Sequence, residues 1–410
     1  MSAFFANCEL SKKLLSFTSY EIFMKRSTRA AVALSLSCAV SAAIWFDVPA
    51  AHGADQDIAK RQAVYREKLT AYARAFEAYE ALAEPYWKSI SKKRAKRRAR
   101  GSFEHLAASD YVLQQPPIYS GPPKPTNPEG APSPAKDIPV VADFLREAKA
   151  QFGFIPETPA SENDYKRAYV IAARAAGLTA AQCARIYAFE SGGDGKYDVQ
   201  AGLEYDVPSA RAISTALGYN QLLSTNSVEL LAEAGDEFVS NLRAKATTAR
   251  GLRKDALLRK IAILKRMIAF SRSVPDRWND HARLADTPKG IGIHALNHDI
   301  DVGPLLQVRK LLTSVEFAKR HGFDGSLSAA ELEMMNLTGD GSGFEMVMMP
   351  DRLREKIPTS NFFQRGGYER NPVAATNNTV AKLIAATNAK MDTEAQLNGA
   401  RTLAALFEKF

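Results

Sequence analysis

A dense run of prolines divides this chain and sets the strongest limit on how it can fold. Nine of its 20 prolines lie between residues 115 and 139. Because proline lacks a backbone N–H and fixes φ, such a segment cannot be a helix interior or a central strand. We therefore predict an extended, semi-rigid linker over residues 106–139, with one element before it and a separate domain after it.

The segment before the linker, residues 54–105, is predicted to be a single basic amphipathic helix. Leu69, Tyr72, Phe76 and Tyr79 recur at three- and four-residue spacings, which is the period of one helix face. An apolar face of this kind needs a partner to cover it.

The segment after the linker, residues 140–410, is predicted to fold as a mostly α-helical domain. Alternating strand patterns are scarce, and a small hairpin fits only near residues 192–206. The sequence from Ser328 to Glu331 is a capping box that marks one helix start. The long fourth candidate helix is predicted to break near Gly235 and Gly251. The candidate helices cover residues 140–151, 164–189, 207–217, 224–272, 305–320, 328–337, 373–390 and 392–408.

Residues 1–53 are predicted to be a leader that ends in a signal peptide, with Met24 as the true start. A basic segment at Met24 is followed by an apolar, small-residue stretch over residues 30–44 and a small-x-small cleavage site before Ala54. This pattern favours export over its alternative, an anchoring N-terminal helix. The mature chain then keeps Cys183 as its single cysteine, so it forms no intrachain disulfide.

The net charge of +9 is concentrated in one short run. Residues 88–100 carry eight basic side chains and no acidic one, so the rest of the mature chain is close to neutral. An exported protein seldom meets DNA, and we therefore expect no nucleic-acid partner. A solvated, flexible helix end is one interpretation of this run. The functional interpretation is contact with an anionic envelope polymer or a membrane surface through Lys92–Arg100.

Glu190 is the strongest candidate for a catalytic group. It follows a strongly helical stretch, in the run Ala188-Phe189-Glu190-Ser191-Gly192-Gly193, with apolar residues on one side and a flexible loop on the other. Partial burial raises the pKa of a carboxyl group and keeps it protonated near neutral pH. Such a group can act as a general acid.

Two later segments follow Glu190 in the chain and share its resemblance to a known set of motifs. The first is Gly218-Tyr219-Asn220-Gln221-Leu222, and the second is Met335-Asn336-Leu337, which is followed by Gly339. Together with the Glu190-Ser191 pair, they resemble the Glu-Ser, Gly-Leu-Met-Gln-Leu and Tyr-Asn-Ala-Gly motifs of lytic transglycosylases. These enzymes of the lysozyme-like superfamily cut the glycan strands of bacterial peptidoglycan.

The resemblance implies a lysozyme-like helical domain with insertions and a murein lytic transglycosylase in a Gram-negative-type periplasm. Members of that family use one glutamate first as acid and then as base, while the C6 hydroxyl of the substrate closes a 1,6-anhydro ring. Glu190 would be that residue, and no cofactor or metal is implied. Tyr368 is a candidate substitute for the aromatic residue that Met335 replaces. The implied substrate-binding residues are Ser191, Gly218, Tyr219, Gln221, Asn336 and Tyr368.

Two alternatives remain open. A hydrolytic muramidase on the same fold would need a second carboxylate about 7–9 Å from Glu190. A non-catalytic peptidoglycan-binding envelope protein would have lost the chemistry and kept the sugar contacts. The candidates for the second carboxylate are Asp194, Asp198, Glu204 and Asp206.

Two other segments resemble binding motifs only superficially. His294 and His298 are four residues apart, a spacing that suits metal ligands on a helix, and Asp299 and Asp301 follow them, but no third histidine or cysteine follows at ligand spacing. The glycine-rich run at residues 339–343 lacks the Lys-Ser/Thr of a phosphate loop, and no predicted strand precedes it. We therefore expect neither a metal site nor a nucleotide loop.

Overall fold

The structure is a computed structural model that describes residues 51–129, 137–203, 207 and 210–410, with side chains from residue 57 onward. Helices make up 67% of these residues, and within them only isolated β-bridges occur in place of strands. The prediction of a mostly α-helical chain is confirmed. Most of the predicted leader lies outside the described residues. None of the described helices has the length and apolar character needed to cross a membrane.

The chain forms two compact units. The described part of unit 1 consists of residues 51–88 and 116–129, and that of unit 2 consists of residues 89–115, 137–203, 207 and 210–410. Helix α1 (Ala51–Arg100) contributes residues to both.

In unit 1 the proline-rich segment packs on α1. Tyr119 inserts its ring among three aromatic side chains of the helix, with ring centroids 5.5 Å from Tyr79 and 5.9 Å from Phe76. The third ring is that of Tyr72, at 6.0 Å. The amphipathic face read from the sequence is thus covered by the proline-rich segment, whose residues 116–129 contain no helix or strand.

In unit 2 most of the described helices follow one another with short connections. They are α2 (Val141–Phe152), α3 (Glu162–Ala175), α4 (Ala180–Ser191), α5 (Ser224–Thr248), α6 (Gly251–Ser271), α7 (Trp278–Ala285), α8 (Pro288–His294), α9 (Gly303–Arg320), α10 (Ala329–Thr338) and α11 (Asp340–Met348). The remaining ones are α12 (Asp351–Arg354), α13 (Arg365–Glu369), α14 (Pro372–Thr376), α15 (Val380–Glu394) and α16 (Asn398–Phe407). A longer connection joins α4 to α5. Single 3₁₀ turns lie at Ala108–Asp110, Ala295–His298 and Thr359–Phe362.

Several predicted helix boundaries are wrong for local reasons. The predicted helix 164–189 is two helices, because Gly177 adopts a φ of +74° between α3 and α4. Gly235 does not break α5. A Cβ at that position would lie 2.4 Å from Cγ1 of Ile268, so this glycine permits close packing of α5 on α6. Of the predicted helix 207–217, the described residues form turns and a bridge. The sequence reading missed α7, α8 and α11.

The core of unit 2 consists of two hydrophobic clusters. One lies between α2, α5, α6 and α8, with Phe144 and Leu242 fully buried. The other is built around α4, whose neighbours are α10, α15 and α16. Cys183 is buried in this second cluster, and burial raises the pKa of its thiol to about 12, as befits a small apolar core residue. Because α4 is surrounded by helices, its C-terminal end is held in a defined place.

Candidate active site

Glu190 lies in the last turn of α4. Thr179 and Gln182 form a capping box at the start of this helix, and Gly192 ends it with a φ of +68°. The side chains of Tyr187 and Ala188, one turn earlier, are fully buried, whereas Glu190 is half-buried. The carboxyl group is therefore fixed by a rigid helix and still accessible from solvent.

Asn336 is brought to Glu190 by α10. Its side-chain nitrogen Nδ2 donates a hydrogen bond of 2.7 Å to Oε1 of Glu190. The amide is half-buried as well. The first and third motifs, although 146 residues apart in the chain, thus meet at one carboxyl group.

Glu333, one turn before Asn336 on α10, faces the same carboxyl group. Its side chain is completely buried, and neither carboxyl oxygen has a hydrogen-bond partner of good geometry among the described residues. Its electrostatic interactions are chiefly with Glu190 and the Asn336 amide. A buried carboxyl group without a cation or a well-placed donor is costly, and it calls for an explanation.

The environment keeps this carboxyl pair protonated. Burial raises the pKa of Glu190 to about 7, although Glu333, Lys390 and Asn336 act in the opposite direction. Burial and then the negative charge of Glu190 raise the pKa of Glu333 well above its ordinary value. Two adjacent carboxyl groups cannot both ionise easily, so the pair holds at least one proton at neutral pH.

Of the four candidates for a second carboxylate, the two that the structure describes interact with other groups. Asp194 accepts a hydrogen bond of 2.6 Å from the backbone N–H of Gly399 and so holds the start of α16. The charge of Asp198 acts on Glu162 and on His298. Glu204 and Asp206 lie outside the described residues. Glu333 was not singled out from the sequence, although its i, i+3 spacing to Asn336 on a predicted helix places both on one face.

Ser191 makes a local contact. Its hydroxyl donates a hydrogen bond of 2.6 Å to the carbonyl oxygen of Tyr187, one turn back on α4. This contact makes the serine a neighbour of Glu190 that steadies the helix end, and its substrate contact stays a prediction.

The second motif forms a tight turn. Gly218 and Gln221 have φ values of +80° and +43°, and the Gln221 side chain donates 2.8 Å to the carbonyl oxygen of Gly218. A Cβ on Gly218 would lie 2.6 Å from Nε2 of Gln307, so this glycine permits close approach of Gln307. Within the described residues no hydrogen bond joins Gln221 to Glu190.

The two departures from the family motif are explained by buried polar contacts. Asn220 donates 2.7 Å to the carbonyl oxygen of Gln307, and the fully buried Tyr219 donates its hydroxyl to the carboxylate of Glu162. Tyr219 therefore lies inside the core, where a sugar cannot reach it, and its predicted substrate contact is wrong.

Tyr368 is also a packing residue. It is 5% exposed, its ring packs against Phe363 with centroids 6.0 Å apart, and its hydroxyl interacts with Thr359. The proposed replacement of the family's aromatic sugar contact by Tyr368 is therefore wrong.

The histidine and aspartate cluster near residue 298 is a structural network. Both ring nitrogens of His294 are engaged, with Ser227 and with the carbonyl oxygen of Thr215, each at 2.8 Å. Asp299 and Asp301 both bind Nζ of Lys260, at 2.8 and 2.7 Å. Among the described residues no group of three or more histidine, cysteine, aspartate or glutamate side chains is arranged to hold a metal ion.

Comparison with known proteins gives no match: no protein-family model, curated protein or solved structure resembles this chain. The chemistry of the site therefore rests on its own geometry. A half-buried carboxyl group with a pKa near 7, an amide that orients it and a second carboxyl group beside it can together deliver and retrieve a proton.

Proposed function

We propose that this chain is a murein lytic transglycosylase with Glu190 as its general acid and base. The observation that carries the proposal is the cluster of Glu190, Asn336 and Glu333 at the end of α4. General acid–base catalysis is most effective when the pKa of the group lies near the working pH, and burial raises the pKa of Glu190 to about 7. In this proposal the substrate is the glycan strand of peptidoglycan, and the export signal delivers the enzyme to the periplasm.

In the proposed reaction, Glu190 gives its proton to the oxygen between MurNAc and GlcNAc as the bond from the anomeric carbon to that oxygen breaks. The C6 hydroxyl of the same MurNAc attacks the anomeric carbon and returns its proton to Glu190. The atoms balance without added water, and the product is a 1,6-anhydro sugar. Asn336 orients the Glu190 carboxyl group through its hydrogen bond of 2.7 Å.

Glu333 has a positioning role in this scheme. Glycosidases that use two carboxylates separate them by about 5–5.5 Å or 6.5–9.5 Å, to admit a sugar or a sugar and a water. Glu333 is completely buried behind Glu190, so it has no access to the opposite face of a bound sugar. This favours the single-glutamate mechanism over the hydrolytic muramidase, while a non-catalytic peptidoglycan-binding protein stays as an outcome of the test.

The test is digestion of purified murein sacculi by the protein and by its Glu190→Gln variant, with products analysed by mass spectrometry. We expect 1,6-anhydro muropeptides from the unmodified protein and at least about a hundredfold less from the variant. The matched control is Glu355→Gln, which neutralises an exposed glutamate and should leave the yield unchanged. Muropeptides that contain one more water would identify a muramidase. Sacculus binding without soluble products would leave the binding protein.

A further inference from the structure

The basic run at the end of α1 is only partly solvated. Arg94 and Arg97 are buried, at 7% and 6% exposure, whereas Lys92, Lys96 and Arg98 are exposed. The interpretation of a flexible, solvated helix end is therefore wrong for two of its arginines. Burial of a guanidinium group requires compensating partners.

The two buried arginines differ in their partners. Nε of Arg97 lies 2.6 Å from Oε1 of Glu345, and its guanidinium group stacks 4.5 Å from the ring centre of Tyr111. Arg94 donates to the carbonyl oxygen of Asn361 at 3.3 Å, but its Nε has no partner and no carboxylate of the described residues pairs with it. Arg94 is therefore a buried cation whose charge is not balanced by a direct ion pair.

The glycine-rich run that the sequence left without a role begins helix α11. Gly339 precedes the helix with a φ of +83°, and no side chain caps this end. The first N–H that bonds back within the helix is that of Gly343, to Gly339 at 2.9 Å. The first N–H groups of a helix lack intrahelical partners and carry a positive partial charge, so they favour an anion.

These two segments line one cavity of about 420 Å³, which we call the arginine cavity. A third wall is aromatic and includes Phe317 and His321, whose ring centroids are 4.2 Å apart. A Cβ on Gly341 would meet only Phe317, at 3.9 Å, so the space in front of the helix end is open. The arginines that line the cavity are Arg94, Arg97, Arg98 and Arg100.

The carboxylates of the cavity are already engaged. Glu345 accepts a hydrogen bond of 2.6 Å from Tyr111 and pairs with Arg97, and Asp340 accepts one of 2.6 Å from Ser314. Arg100 pairs with Asp110 at 3.0 Å. Arg94 and Arg98 thus remain as the cations of the cavity wall that form no direct ion pair with a carboxylate of the described residues.

We propose that the arginine cavity binds a small organic phosphate, with the phosphate group between Arg94, Arg98 and the N-terminus of α11. Arginine side chains and helix N-termini are the donors that recognise phosphate most often, because they match its geometry and its charge. The volume suits a small molecule, and the aromatic wall suits an apolar or ring-shaped remainder. A soluble phosphate ester and a phospholipid headgroup share this chemistry.

The experiment is isothermal titration of the full protein with inorganic phosphate and with glycerol phosphate at constant ionic strength, beside sedimentation with phosphatidylglycerol or phosphatidylcholine vesicles. We expect saturable phosphate binding that Arg98→Gln weakens by about tenfold, the usual effect of losing one charge-assisted hydrogen bond. Arg98 is exposed, so its replacement should not disturb folding. Binding of phosphatidylglycerol vesicles that depends on Arg98 assigns the headgroup as the source, and phosphate binding without vesicle binding assigns a soluble ester.

Lys92→Gln and Lys96→Gln are the matched controls, because they remove the same charge from exposed positions of the same helix outside the cavity. They should bind phosphate as the unmodified protein does. The proposal is overturned if no phosphate binding is detected, or if the lysine variants lose as much affinity as Arg98→Gln, which would reveal general charge attraction.

Discussion

Unit 2 contains two clusters of buried acids that differ in their counter-charges. Asp299 and Asp301 are 0% and 3% exposed and share Lys260, while Arg253 binds Asp301 through two hydrogen bonds of 2.7 and 2.9 Å. Glu333 is buried to the same degree as Asp299, yet it faces another carboxyl group. Glu333 and Asp299 are thus equally buried, and they differ in their partners.

The pKa values of Asp301 and Glu190 differ accordingly, whereas burial raises the pKa of Asp299 although Lys260 acts in the opposite direction. Burial acts to raise the pKa of Asp301, but Lys260 and Lys245 outweigh it and lower that pKa to about 2. At the other cluster burial raises the pKa of Glu190 to about 7. Asp301, which has direct ion pairs, stays ionised and helps to hold the fold together, whereas Glu190, which has no direct ion pair among the described residues, keeps a proton available for chemistry.

The largest expected effect is the loss of Lys260. Its replacement by methionine leaves two buried aspartates without their shared cation, so we expect the free energy of unfolding to fall by about 3–5 kcal/mol. Urea unfolding measures this change. Lys254→Met, an exposed lysine of the same helix, is the control and should change stability by less than about 0.5 kcal/mol. An equal loss of unfolding free energy in the two variants would mean that Lys260 does not act as the counter-charge of the buried aspartates. The distinction between the two clusters would then fail.

The second-largest expected effect is the pH dependence of the unfolding free energy that Glu333 causes. Its raised pKa means that the folded chain keeps a proton which the unfolded chain releases above its ordinary value of 4.5. The contribution of Glu333 to stability is therefore fully present below pH 4.5 and falls by about 1.4 kcal/mol per pH unit above it until the folded pKa is reached. Glu333→Gln has no proton to release, and its curve of unfolding free energy against pH should be flatter by that amount. Glu355→Gln should keep the original slope.

Sequence reasoning identified some residues of each cluster and missed their buried partners. Glu190 and Asn336 were singled out because their segments resemble the motifs of a known family. Asp299 and Asp301 were noticed only for a resemblance to metal ligands. Their partner Lys260 is about forty residues earlier, inside a basic helix where every lysine looks solvated. Long-range ion pairs of this kind leave no periodic signal in a single sequence.

Glu333 was hidden for a related reason. It is one of two glutamates near the start of α10, and the other, Glu331, completes the capping box with Ser328, so both look like ordinary helix-start acids. The helix content was predictable from periodicity. The breaks between helices at Gly177 and before Thr379 were not, because they depend on the φ value of one residue and on the cap of the other. Tertiary packing, which a single sequence does not show, places Tyr219 in the core and Gly218 against Gln307.

A smaller effect is expected at the Asp301 cluster under acid. The pKa of Asp301 is about 2 in the folded chain against 3.8 ordinarily, so its ionised form contributes about 2 kcal/mol of stability above pH 4. That contribution disappears as the pH falls from 4 towards 2. We expect the stability gap between the unmodified protein and Asp301→Asn, measured by urea unfolding, to narrow over this range. Asp255→Asn, an exposed change on α6, should show no such convergence.

The smallest expected effect is the change in the pKa of Glu190 when a nearby cation that forms no ion pair with it is removed. Lys390 lies 4.6 Å from the ring centre of Phe189, pairs with Glu394 at 3.7 Å and lowers the pKa of Glu190 through its charge. Lys390→Met removes that charge, so the pKa of Glu190 should rise further, by less than about one unit. Carbon-13 NMR titration of the Glu190 carboxyl group measures the change directly, and Lys382→Met on the same helix should leave it in place. A fall in this pKa would mean that the pair is governed by something other than burial and missing counter-charge, and the contrast with the Asp299–Asp301 cluster would lose its basis.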